Sequence, residues 1–429
     1  MQQVLLRIPT ESSWFLPVVV LLSLAIGAGV WALFTRNKAI LPVFVIVGGY
    51  LGYKGGEYLQ AHNPDGIPIY GYGMMLFLAF VACTWLAGRL ARREGIAPEH
   101  VQDLAIYLFV GGVLGSRIVF MIQYDSNLHW PESRAEFIKL CGRFISIWEG
   151  GLVFYGGMLG GAVAYVVAYY AIIKKHNIST LKMADVIAPC AALGLCLGRV
   201  GCLLNGCCYG DVACPSCPAL PFPLSGMPRQ YLVEKGYQTA AGFTLSDPAA
   251  RSNTVGAVEP ASPAWEAGLR PGDVITHLDG RPVLEDRDLW QYLGPEWPRG
   301  KNDLTLTVQR GDDRKEVDMT FAPKTLGLHP TQLYESISTG LLLLLLLAYY
   351  PFRRHDGELF ALFLMLYPLH RFLNEMLRAD NEALPFDKLT LSQNGSILVF
   401  AIGLVFFLWL RRLPAQYQPA KQPLAASHV

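Results

Sequence analysis

Nine apolar runs punctuate the chain, at 14–34, 40–53, 72–87, 104–122, 152–173, 187–204, 337–350, 359–373 and 397–410. A helix needs about 20 mostly apolar residues to cross a bilayer, so the shorter runs, 40–53 above all, must recruit their flanks or tilt. The first run is long for the apolar centre of a secretory signal, and no convincing small-residue cleavage site follows it. It is therefore expected to be an anchor. Lysine and arginine collect on the cytoplasmic side of short loops. Here Arg36 and Lys38 follow the first run, Arg89, Arg92 and Arg93 the third, and Lys174 and Lys175 the fifth. Arg353 and Arg354 follow the seventh, and Arg411 and Arg412 the ninth. Every odd-numbered run thus ends inside. The expected topology has nine spans, an external N-terminus and an internal C-terminus, with 123–147, 205–335 and 375–390 facing outward.

Hydrophobic density collapses between the sixth and seventh runs, from about Pro215 to Pro323. Alternation predicts strands at 255–258, 274–278 and 304–308 and a short helix at 288–293. The stretches Ser262-Pro263-Ala264, Ala267-Gly268-Leu269 and Pro271-Gly272-Asp273-Val274-Ile275 resemble a PDZ domain of the bacterial envelope type, over about 240–323. The resemblance implies capture of an extended peptide as an added strand, with Ala241-Gly242-Phe243 as the candidate carboxylate-binding loop. The competing reading is a spacer that packs on the membrane part.

Composition sharpens the class. Of 429 residues, 52% are hydrophobic and only 16% charged, against roughly 25% charged in an ordinary soluble domain. Mean hydropathy is +0.31. The formal net charge of +1 offers no basic field for nucleic acid. The expected fold is an all-α polytopic membrane protein of about nine transmembrane helices, with a small inserted α+β domain.

Polar groups inside or beside apolar spans are expensive, so they mark candidate sites. They occur in "IYGYGMM" (69–75), where Tyr72 opens a span, in "WEGGLVFYGGMLGG" (148–161), and in "GRVGCLLNGCCYG" (198–210). They recur in "HPTQLYES" (329–336) and "HRFLNEMLRAD" (370–380). Together with Gly115-Ser116-Arg117, these motifs in this order resemble prolipoprotein diacylglyceryl transferase over roughly 67–210 and 327–410. The resemblance implies a bacterial inner-membrane enzyme with seven core helices and no cofactor or metal. It would move diacylglyceryl from phosphatidylglycerol to the lipobox cysteine thiol of a preprolipoprotein. The expected organisation is then two added helices in 1–66, a core in 67–235 and 324–412 interrupted by the external PDZ-like domain at 240–323, and a cytoplasmic tail at 413–429.

The implied reaction is thiolate attack on a glycerol carbon with a phosphate ester leaving. Arginine suits that leaving group, because its planar fork pairs bidentately with phosphate oxygens. Arg199, Arg371 and Arg378 are available, the last two about two helical turns apart. Glu375 lies between them at i+4 and i−3 and can hold both guanidinium groups. For each arginine the alternative is snorkelling to a headgroup or a structural ion pair. Arg199, Arg371 and Tyr155 are the catalytic candidates. Tyr72, Arg117, Asn205, Gly210, His329, Gln332, Tyr334, Glu335, Glu375 and Arg378 are the substrate-binding candidates. The glycines at 156–161 suit either a loop beside the lipid cavity or tight helix packing.

One position departs from the family pattern: Tyr155 stands where the resembled motif carries histidine. An unperturbed phenol, with pKa about 10, is a donor at neutral pH rather than a base. Tyr155 is thus expected to donate a hydrogen bond to the lipid. His329 is an alternative base, or anchors its own loop. A catalytically altered relative that binds lipid or lipoprotein precursors through the PDZ-like domain remains open. A transporter would carry an internal repeat, and none is evident; nor is a zinc-protease motif. Seven of nine cysteines fall between Cys190 and Cys217. Cys207, Cys208, Cys214 and Cys217 sit in an outward loop, where an oxidising compartment favours disulfides; free or mixed thiols are the second reading, and a metal the third, since Cys214-Pro-Ser-Cys217 also has zinc-knuckle spacing.

Overall fold

The computed structural model describes residues 4–10, 12–34, 41–62, 66–124, 133–145, 153–246, 252–283, 289, 292–298, 300–311, 315–378 and 388–417. The chain divides into two compact units, Met1–Leu76 with Val200–Pro330, and Phe77–Arg199 with Thr331–Val429.

In chain order the elements begin with β1 (Val4–Ile8), α1 (Phe15–Phe34), α2 (Leu41–His62) and β2 (Ile67–Tyr70). Then come α3 (Gly71–Arg93), α4 (Pro98–Tyr124), α5 (Arg134–Ile145), α6 (Phe154–Ala168) and α7 (Thr180–Asn205). A π turn, Tyr169–Lys174, continues α6. The insert contributes β3 (Leu220–Pro221), α8 (Met227–Glu234), β4 (Phe243–Leu245), β5 (Val255–Val258), α9 (Pro263–Glu266), β6 (Val274–Leu278), β7 (Arg281–Pro282), β8 (Leu304–Arg310) and β9 (Lys315–Phe321). The chain closes with β10 (Gly327–Leu328) and three helices, α10 (Thr331–Tyr349), α11 (Glu358–Glu375) and α12 (Leu391–Arg411).

Among the described residues, six helices are long and apolar enough to cross a membrane: Gly71–Arg93, Pro98–Gln123, Gly156–Lys174, Thr180–Asn205, Thr331–Phe352 and Leu391–Arg411. All but the third extend past both ends of their apolar runs; the third starts inside the run at 152–173. The run at 40–53 covers the N-terminal part of α2, which continues to His62. The run at 337–350 lacks the first turn of α10, and 397–410 lacks that of α12. The reason is physical: those first turns are polar but helical, and their polar faces serve the site rather than lipid. α11 matches its expected run and carries Glu358, His370, Arg371 and Glu375 along its 18 residues. Outward faces stay apolar, with Ile122, Val163, Leu341 and Val405 each mostly exposed, as a lipid solvent requires.

In the second unit the core gathers Leu90, Leu104, Ile173, Met183, Leu346 and Leu359. Here α4 and α6 pack through glycine. A Cβ on Gly115 would fall onto the Gly156 carbonyl, and one on Gly160 onto the Gly111 carbonyl. Small residues let helix backbones approach this closely. The loop reading of 156–161 is thereby corrected: this stretch lies in the first half of α6, and Gly156, Gly157 and Gly160 form its packing face.

In the first unit, the insert forms an antiparallel sheet in the order β7-β6-β8-β9 and a separate β4-β5 pair. The expected strands at 255–258 and 274–278 appear with those ends; the third lengthens to Arg310, because the β8–β9 ladder runs on to Arg310 opposite Lys315. Of the expected 288–293 helix, 288, 290 and 291 lie outside the described residues. The quoted motif has a local cause at each step. Ser262 caps α9 by accepting from the Trp265 N–H at 3.2 Å, with Pro263 at the first helical position. Gly268 and Gly272 take positive φ of 92° and 89°, which glycine adopts without steric cost. Asp273 accepts from the Arg270 N–H and from the Arg310 guanidinium. Burial alone would raise the Asp273 carboxyl, but those hydrogen bonds outweigh it and hold it below its ordinary value.

The insert's core reaches beyond the expected 240–323. Leu224 joins Phe243, Ile275, Leu306 and Val308 in it. Arg229 of α8 is fully buried, stacks 4.9 Å from the Trp297 ring and donates to the carbonyls of Ala240 and Pro295. Burial pushes its guanidinium down to about 10.

Candidate active site

The second unit concentrates charge where α7, α10, α11 and α12 present polar ends. Glu335, on the first turns of α10, is its centre. Its carboxylate lies 2.9 Å from the Arg199 guanidinium and 3.2 Å from that of Arg371. Asn374 donates to it at 3.1 Å and the Tyr367 hydroxyl at 3.4 Å. Arg371 is shared: it also meets Glu375 at 2.8 Å and donates from Nε to the Ser392 hydroxyl at 3.0 Å. Glu375 in turn faces Arg378 at 3.8 Å and accepts from the Thr390 hydroxyl at 3.1 Å. The i+4 and i−3 spacing read from the sequence thus places Glu375 between the two arginines.

Both carboxylates are buried, Glu335 at 1% and Glu375 at 3% exposure. Three guanidinium groups, those of Arg199, Arg371 and Arg378, converge on these two buried carboxylates. Planar guanidinium forks grouped in this way suit an oxyanion such as a phosphate or carboxylate. A cavity of roughly 350 Å³ adjoins the cluster, lined by Leu341, Leu345, Leu366, Tyr367 and His370 among others. Tyr367 belongs to both, with its ring in the cavity and its hydroxyl on Glu335. His370 closes one side and shares a 3.0 Å hydrogen bond with Ser338. An anion site opening onto an apolar groove has the polarity of an anionic lipid.

The remaining candidates are placed as follows. Gln332 is buried on the α10 turn that carries Glu335, and Tyr334 is half-buried there. Arg117, in the same unit, is buried and donates to the carbonyls of Arg143 and Phe144 at the end of α5, an arrangement that satisfies helix-terminal carbonyls. Tyr155 sits in the first turn of α6, not on the expected loop, because α6 already begins at Phe154; its side chain lies outside what is described. Four candidates belong to the first unit. Tyr72 packs at the start of α3 against Gly201, and Asn205 ends α7. The Gly210 N–H donates to the His329 carbonyl at 2.9 Å, and the His329 N–H to Asp211 at 3.0 Å. His329 thus anchors its loop through its backbone.

Sequence reasoning missed Asn374, Tyr367, Ser392 and Thr390. Two signals were present: Asn374 and Tyr367 lie at i+3 and i−4 from Arg371, on its helix face. Thr390 and Gln393 form a capping box, a pattern legible as Thr-x-x-Gln.

The model of one protein family, prolipoprotein diacylglyceryl transferase, matches residues 61–409. The chain belongs to the prolipoprotein diacylglyceryl transferase family. A relative from Rhodopirellula baltica named phosphatidylglycerol–prolipoprotein diacylglyceryl transferase is 30% identical over 380 residues, covering 81% of this chain and 74% of its own. One of the same name from Clostridium tetani is 26% identical over 342 residues, covering 80% and 93%. A third, from Geobacter sulfurreducens, is 37% identical over 143 residues, covering 33% and 50%. The family match begins at residue 61, so α1 and nearly all of α2 precede the matched stretch. The charged cluster and its groove lie wholly within it.

Proposed function

We propose that the chain transfers the diacylglyceryl group of phosphatidylglycerol to the lipobox cysteine thiol of preprolipoproteins, on the external side of a bacterial inner membrane. The observation that carries this reading is the convergence of the Arg199, Arg371 and Arg378 guanidinium groups on Glu335 and Glu375, beside an apolar groove. The phosphodiester of phosphatidylglycerol is an oxyanion that guanidinium forks can bind bidentately, and its acyl chains suit the groove. In the transfer, a carbon–sulfur bond forms at the glycerol carbon and the carbon–oxygen bond to phosphate breaks. The electron pair leaves on a phosphate monoester, which carries more negative charge than the diester. Guanidinium groups held in place by buried carboxylates stabilise that added charge without reorganising, so they bind the transition state better than the substrate. The same field lowers the pKa of an approaching thiol from its ordinary value of about 8.5.

Roles follow from this reading. Arg199 and Arg371 bind the phosphate, and Arg378 with Gln332 and Tyr334 completes the headgroup site. Glu335 and Glu375 orient the arginines. Tyr72, Asn205, Gly210 and His329 are assigned to substrate binding by their motifs alone, Arg117 supports the α5 end, and Tyr155 donates a hydrogen bond to the lipid. The 240–323 insert, with Leu224 and Arg229 as its base, is an external PDZ-like module whose β4 edge takes an extended peptide. Restoring lipid attachment to a tester lipoprotein in a strain lacking the transferase tests the activity. Failure by a well-inserted protein, with retained precursor binding, would favour the altered-relative reading instead.

A further inference from the structure

The turn that follows α7 brings three thiols together. The sulfurs of Cys202, Cys207 and Cys208 all lie within 4.8 Å of one another. All three are cysteine thiols, whereas Cys214 and Cys217 are joined as a disulfide. The convergence is built by the backbone. The Gly206 N–H donates to the carbonyls of Cys202 and Leu203 at 2.9 and 3.1 Å, and the Cys207 N–H to Cys202 at 3.2 Å. This is a Schellman cap with Gly206 in the left-handed region at φ +75°. It folds Cys207 back over the last turn of the helix. Cys208 then adopts φ +60°, a conformation that costs a non-glycine residue energy and persists only where its surroundings enforce it. The chain beyond is pinned twice: Tyr209 is buried against Phe222, Leu232 and Leu328, and Gly210 is hydrogen-bonded to His329. Three half-buried sulfurs on a fixed turn form a ligand set prepared in advance.

We propose that Cys202, Cys207 and Cys208 form a three-thiolate site for a thiophilic d10 cation. All-sulfur ligation selects monovalent copper or zinc over hard cations. Three sulfurs satisfy monovalent copper, whereas structural zinc takes four ligands and would draw a fourth from water or another donor. Binding replaces three S–H bonds by three metal–sulfur bonds and releases three protons, with no change of oxidation state. Affinity must therefore rise with pH. The site is independent of the lipid reaction proposed above.

The test uses the full chain in detergent micelles, reduced with a phosphine and desalted without oxygen. Monovalent copper, as its acetonitrile complex, and zinc are titrated separately. The expected result is one ion retained per chain and tighter binding at pH 8 than at pH 6. Affinity should fall at least about tenfold in each of Cys202→Ser, Cys207→Ser and Cys208→Ser, since even the loss of an outer-sphere partner costs that much. Cys214→Ser with Cys217→Ser should leave it unchanged. X-ray absorption of the loaded wild-type protein, which needs no variant to fold, should count three sulfur neighbours for copper, or three plus one further donor for zinc. Retention of the ion after all three substitutions, no retained ion in the wild type, two or fewer sulfur neighbours, or a disulfide within the trio in protein isolated without reductant would each overturn the proposal.

Discussion

Two arginine–carboxylate clusters occupy opposite ends of the same three helices, α10, α11 and α12, and they differ in what adjoins them. At one end Arg199, Arg371 and Arg378 face Glu335 and Glu375. At the other, Arg353 and Arg411 face Glu94, Asp185 and Glu358. In the second cluster all side chains but that of Arg411, which is exposed, are buried. Arg353 pairs with Glu94 and is flanked by the Tyr350 and Tyr417 rings, at 4.5 and 4.9 Å. Asp185 accepts from the Gly357 and Phe360 N–H groups, and Glu358 from the Tyr349 hydroxyl and the Arg354 N–H. Its carboxylates are met by backbone and hydroxyl donors as well as by arginine. The first cluster instead adjoins an apolar groove. Ion pairs alone do not mark a site; ion pairs that border a cavity do.

The largest effect that would test this contrast is expected at the hub. Glu335→Gln keeps the shape but removes the charge that both Arg199 and Arg371 face, and breaking a buried pair costs about 3–5 kcal/mol. Transfer per folded molecule should fall by at least about a hundredfold. If Glu335→Gln transfers at the wild-type rate, the two clusters are equivalent and both structural. Arg199→Lys ranks next. It retains the charge and loses the bidentate fork, roughly 1.5–3 kcal/mol for a charged hydrogen bond, or about ten- to a hundredfold in rate. Glu358→Gln removes the buried carboxylate that Arg411 meets in the second cluster. It should lower the melting temperature by several degrees while transfer per folded molecule stays within about threefold; a rate loss as large as that of Glu335→Gln would erase the distinction.

The smallest effect lies in the insert. The Asp273 carboxyl is held low, so its contribution is present above its unfolded value of about 3.9 and is lost as pH falls through its lower folded value. Hydrogen-exchange protection of β8, corrected for intrinsic rate, should therefore fall below about pH 4 in the wild-type chain, and less so in Asp273→Asn. An identical pH response in both would show that Arg310 and Asp273 contribute nothing to the insert's acid stability.

The sequence made the middles of the helices legible and hid their ends. Apolar runs report contact with lipid, and the polar first turns of α10 and α12 face the site instead. Arg371, Glu375 and Arg378 could be grouped because helical spacing is local. Glu335 could be named from its motif but not recognised as the hub, because its partner Arg199 arrives from α7 and only the packing joins them. Arg117 could be named from its motif, but not its acceptors, the Arg143 and Phe144 carbonyls at the end of α5, since sequence shows a charge but not what it meets. The insert's strands were readable by alternation. Its base at Leu224 and Arg229 was not, because a short polar helix gives no sign of packing beneath a neighbouring sheet.

The central claim is that Arg199 holds the phosphate of the donor lipid. Its most direct test is the initial rate at which purified Arg199→Ala, with a wild-type melting profile, attaches diacylglyceryl to a lipobox peptide in phosphatidylglycerol-containing micelles. The expected result is a loss of at least about a hundredfold in kcat/KM for phosphatidylglycerol, as for removal of a charge-assisted contact made in the transition state. Transfer within a few-fold of wild type would contradict the assignment.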